Sequence, residues 1–130
     1  MQKFLSVFLL ILGFACTQKS GVDFGSLDAG QTVPRDLKVQ FKVNGMEVRP
    51  AGVMQEGTGH HHLIIDGTFV PEGEVVPADA NHLHFGKGQK ETEIRLEPGK
   101  HTLTLQFADG LHRSYGEKWS KTIEVTVDPD

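Results

Sequence analysis

Seven histidines occur in this chain of 130 residues, and five of them crowd into two short stretches, Gly59-His60-His61-His62-Leu63 and Asn81-His82-Leu83-His84-Phe85. In an extended strand, residues two apart project to the same face about 7 Å from one another. His60 and His62 therefore form one candidate pair, and His82 and His84 a second. If the two stretches are neighbouring strands, these four imidazoles converge on one patch, a nitrogen-rich site suited to copper or zinc. Around them stand accessory candidates. Gly57 and Gly59 allow close approach of the backbone, and Asp66 or Asp109 offers a carboxylate to orient a ring nitrogen. His61 points away from His60 and His62. His101 is in phase with Leu103 and Leu105, as a cap on the core would be. His112 follows the Asp109-Gly110 turn, where it either closes over the cluster or faces solvent.

A second reading stands beside the metal. His-X-His on a strand is also satisfied by cross-strand hydrogen bonds and ring stacking, which makes an interaction module for an envelope protein or a small polar ligand the alternative function. An enzyme is not expected. No H-E-x-x-H helix and no G-x-S-x-G elbow is present. Gly86-Lys87-Gly88 lacks the phosphate-loop spacing and reads as a hairpin turn.

The chain begins MQKFLSVFLLILGFA, one lysine followed by an apolar run too short for a stable membrane span, and then Cys16. This pattern resembles a bacterial lipoprotein signal over residues 1–15, cut before Cys16, which then carries the lipid. Residues 16–22 form the lipidated N-terminus and tether, and residues 23–130 form one domain. Thr17 after the cysteine favours the outer membrane, so the expected location is the periplasm, anchored by lipid to that membrane. Cys16 is the only cysteine, which leaves the domain without a disulfide or a thiolate metal cage. The formal net charge is −4. With no lysine- or arginine-rich run, nucleic acid is not an expected partner.

The elements that must position the histidines read as strands. In LKVQFKV, Leu37, Val39, Phe41 and Val43 alternate with polar residues; the same period of two recurs in TEIRL, in HTLTLQF with His101, Leu103, Leu105 and Phe107 on one face, and in KTIEVTV. Asn44-Gly45, Pro98-Gly99 and Asp109-Gly110 supply turns. No apolar stripe at helical spacing lasts three turns after the signal. The expectation is an all-β fold, a small antiparallel immunoglobulin-like β-sandwich.

The stretches VNGMEVRPAG, GTGHHHLIID, NHLHFGKGQKETEIRLEPGKHTLTLQFADGLHRSYG and TIEVTV resemble the domain of unknown function 4399 family over about residues 33–127. The family's histidine-rich segment matches His60, His61, His62 and Asp66; its second motif matches His82, His84, Phe85, Gly86 and Gly88; its third matches His101, Leu103, Phe107, Asp109, Gly110 and His112. The resemblance implies an exported β-rich protein and carries no activity with it.

Overall fold

The computed structural model describes residues 12–13 and 18–129. Cys16, expected to carry the lipid, and nearly all of the expected signal lie outside the described residues.

Nine strands are present among them: β1 (Gly21–Phe24), β2 (Thr32–Val33), β3 (Asp36–Asn44), β4 (Glu47–Val48), β5 (Thr58–Ile65), β6 (His82–His84), β7 (Glu91–Arg95), β8 (Gly99–Ala108) and β9 (Ser120–Val127). A single 3-10 turn, Glu117–Trp119, precedes β9. β1 begins two residues ahead of the domain boundary expected at residue 23, and the Asn44 side chain donates to the carbonyls of Gln18 and Lys19, fastening residues 18–19 to the sandwich.

One sheet has the order β1-β3-β7; the other has the order β2-β9-β8-β5-β4, with β6 also pairing with β5. The inward faces are the apolar faces read from the alternation. Leu37, Val39 and Phe41 of β3 meet Leu103, Leu105 and Phe107 of β8 and Val125 of β9, all buried. The all-β sandwich is therefore as expected. Its pairing is antiparallel except at the two margins of the larger sheet, where β2 runs parallel to β9 and β4 parallel to β5 for two residues each. Those segments, like β1, carry too few residues for a period of two to show in sequence.

The other face of the larger sheet departs from a simple sandwich. Thr104 and Gln106 of β8, on the side opposite Leu103, Leu105 and Phe107, are fully buried. The connection between β5 and β6 and the loop between β8 and β9 fold over them. There Ile64, Val70, Val76 and Ala108 form a second small core. Gln106 fastens this cover: its Oε1 accepts from the Val70 amide at 3.0 Å, and its Nε2 donates to the carbonyls of Phe107, Gly116 and Trp119. A buried amide with its donors and acceptor engaged costs little to bury and fixes the loop above the sheet.

Candidate metal centre

Strand geometry positions the first three histidines. Along β5 the side chains alternate, so His60 and His62 face the covered outer side while His61 turns into the core between the sheets. β6 pairs antiparallel with β5, placing His84 directly opposite His62 and His82 opposite Ile64. His84 thus lies against the β5 pair. His82 shares the face of His84 but stands two register positions farther along, where its Nδ1 lies 2.7 Å from Asp79.

The fourth histidine comes from the loop. His112 adopts a left-handed backbone, φ 64°, uncommon outside glycine. Asp109 builds the turn that imposes it. The Asp109 carboxylate accepts from the amides of Leu111 and Arg113 and from the Arg113 side chain. The His112 amide donates to the Asp109 carbonyl, and the His112 carbonyl accepts from Val76 at 2.8 Å. Held at both backbone groups, His112 directs its ring at His60, with its Nδ1 3.1 Å from Nε2 of His60.

The result is a four-imidazole group, His60, His62, His84 and His112, whose ligand atoms all lie within 4.8 Å of one another. Nε2 of His62 is also 3.1 Å from Nε2 of His60. A tetrahedral ion with bonds of about 2.0–2.1 Å requires nitrogen–nitrogen edges of about 3.3–3.4 Å, close to these two separations. Hydrogen bonding accounts for the arrangement less well. Nε2 of His60 faces two nitrogens at once, and an imidazole nitrogen carries either one proton or one lone pair. A cation at the centre would engage every lone pair, so the group could hold a metal ion.

Electrostatics keep the rings in ligand form. Burial, then the neighbouring imidazoles of His84 and His112, lower the pKa of His60 to about 4 against an opposing pull from Asp109. Burial followed by the same cluster lowers His62 to about 2. His84 is shifted down by burial and by His112. These three rings are neutral at pH 7, the state that binds metal. His60 and His62 are buried, whereas His84 is exposed and His112 half-buried, which leaves one side of the group open to solvent.

Two glycines make the space. A Cβ on Gly86 would overlap Cε1 of His84 and sit 2.6 Å from its Nε2. A Cβ on Gly59 would overlap the Ala108 carbonyl. Gly57 has open space around it, and its positive φ of 73° serves the turn into β5.

Of the residues singled out in the sequence, the structure therefore brings together His60, His62 and His84, replaces His82 by His112, and sets the rest apart. Asp66 does not orient a cluster ring: it lies at the far end of β5, 3.0 Å from Nδ1 of His101, whose Nε2 donates to the Glu97 carbonyl at 2.7 Å. Partial burial pulls the pKa of His101 down, but the Glu97 carbonyl and the Asp66 carboxylate outweigh it and raise the value. This pair clasps the ends of two strands. Asp109 acts on the backbone of the His112 loop rather than on a ring nitrogen. His61 packs between Phe41 and Phe107, at ring separations of 5.2 Å and 5.0 Å.

The four histidines fall inside the segment, residues 39–128, matched by the family model described as Domain of unknown function (DUF4399). No curated protein and no solved structure matches the chain. The matched segment spans well over half of the sequence and contains both the histidine strands and the loop that completes their cluster, and the chain belongs to the DUF4399 family.

Proposed function

We propose that this protein is a non-catalytic binding protein that holds one copper or zinc ion through His60, His62, His84 and His112. The observation that carries the reading is the convergence of four imidazoles within 4.8 Å, two of them buried. A catalytic zinc site keeps three protein ligands and an open position for water or substrate. Four imidazoles close the coordination shell, which suits sequestration or delivery. The exposed His84 side provides the route for the ion.

The reading includes the expected export: Cys16 carries a lipid, and the domain faces the periplasm from the outer membrane. Metabolic labelling with a fatty acid tests this, with label expected on the intact chain and absent from Cys16→Ala.

The test of the metal site is titration of untagged protein with Zn(II) and Cu(II), together with metal analysis after gentle purification. One equivalent bound tightly, and lost in His60→Ala/His62→Ala, is the expected result. Weak, unsaturable uptake by the folded wild type would overturn it.

A second reading, recognition of an envelope protein, is favoured by one feature of the surface. Val53, Met54 and Leu111 are exposed, and Val53 packs its backbone against Gly110, beside the loop that carries His112. An apolar rim next to the cluster suits a protein partner that docks there. A specific envelope partner retained by metal-free protein would support this second reading.

A further inference from the structure

A second opening lies on the other face of β5. It is a cavity of about 910 Å³ between the two sheets, bounded by β1, β3, β4 and the start of β9. Its charge is sharply biased. Lys19, Lys42, Arg49, Lys90, Lys118 and Lys121 line it, six of the 13 lysines and arginines in the chain. Only Asp23 and Glu47 oppose them among the lining residues, and Glu47 pairs with Arg49, which leaves five lysines against Asp23. Such segregation in a chain of formal net charge −4 concentrates positive potential at one mouth.

Deeper in, Val22, Phe41, Val43, Met46 and Val48 supply an apolar wall. His61 lines the same cavity at 1 % exposure, and neither of its ring nitrogens has a hydrogen-bond partner. An unpaired imidazole is costly to bury, and an apolar side chain would fill this place between Phe41 and Phe107 without that cost. The imidazole offers one N–H donor to a ligand in the cavity.

We infer that this cavity binds a small amphipathic organic anion, its apolar body against Val22, Phe41, Val43, Met46 and Val48 and its anionic head among the lysines, within reach of His61. The site is separate from the four-imidazole cluster, which faces away from it on the same strand, and the inference does not depend on a metal.

The probe is decanoate, titrated calorimetrically into the purified chain, with decanol, inorganic phosphate and phosphatidylglycerol vesicles as parallel arms. Saturable 1:1 binding of decanoate is expected, at least tenfold weaker for decanol and for phosphate. Lys90→Glu/Lys121→Glu, both at exposed positions, is expected to weaken decanoate binding at least tenfold while leaving Zn(II) titration unchanged. His61→Phe, which keeps the ring between Phe41 and Phe107, is expected to weaken it severalfold, with retention of the fold checked by near-ultraviolet circular dichroism. Equal binding of decanol, undiminished binding in the lysine variant, or no decanoate binding by folded wild type would each overturn the inference. Binding to vesicles without binding to monomeric decanoate would also overturn it, in favour of a membrane surface.

Discussion

At the scale of single residues, the centre depends on side chains that are absent as much as on those present. Gly86 lies outside the positive-φ region, so alanine there meets no left-handed strain, yet its Cβ would take the space of the His84 ring. Gly86→Ala is expected to keep the fold and weaken Zn(II) binding about tenfold, in the range seen when the supports of metal ligands are removed. Calorimetric titration beside a thermal melt checks it; unchanged affinity would mean that His84 is not a ligand. Because His60, His62 and His84 are shifted toward the neutral form, these rings already have free lone pairs at pH 7. Zn(II) uptake at pH 7 should therefore release almost no protons from them. Titration in buffers of different ionisation enthalpy measures that number, and a release of two or more protons would contradict the ligand assignment.

At the scale of elements, the His112 loop is the part the sequence disclosed least. Strands β3, β7, β8 and β9 were legible because each has one face in the core and so alternates. The pairing of His60 with His62 followed from the same period, as did the turn of His61 to the opposite face. What alternation could not supply was register between strands. A period of two places His82 and His84 on one face but does not say which stands opposite His62, and that pairing decides which one joins the group. His112 was visible only as a histidine after an Asp-Gly turn; its membership depends on the carboxylate of Asp109 and on contacts across the loops. The buried state of Thr104 and Gln106 was hidden for the same reason, since their cover comes from connections without periodicity. Asp109→Ala removes three hydrogen bonds from that loop. It is expected to cost about 1–3 kcal/mol of stability, measurable by urea denaturation, and to lower metal affinity by releasing His112. If affinity stays at the wild-type value, the loop is set by other contacts.

At the scale of the whole molecule, burial of neutral histidines ties folding to pH. His60 and His61 fall to about 4 and His62 to about 2, all below the unfolded value of 6.5. The unfolded chain takes up protons first as pH drops, so the stability these rings permit is present above pH 6.5 and is lost as pH falls toward 4. The limiting slope is about 1.4 kcal/mol per pH unit for each proton that the unfolded chain binds in excess of the folded one. Urea midpoints of the metal-free protein should decline steeply between pH 6.5 and 5, and a flat profile would show that the rings protonate without unfolding. A bound ion opposes this loss, adding about 2.7 kcal/mol at a free concentration one hundred times Kd. The difference in melting temperature with and without Zn(II) should accordingly disappear in His60→Ala/His62→Ala.

The borders of the two sheets bear on how many copies can crowd together without sticking. The larger sheet ends in β2 on one side and in β4 and β6 on the other, two, two and three residues long, and the smaller sheet ends in β1, with four residues, and β7, which turns Glu91, Glu93 and Arg95 outward. A strand that short offers a neighbouring chain almost nothing to pair with, and charged side chains along a margin disfavour pairing by an apolar strand. Histidine-rich strands such as β5 would be an aggregation hazard at a margin, where a shared ion could bridge two molecules. By keeping β5 inside, between β8 and β6, the fold withholds His60 and His62 from a neighbouring chain and leaves only the three residues of β6, with the exposed His84, at that margin.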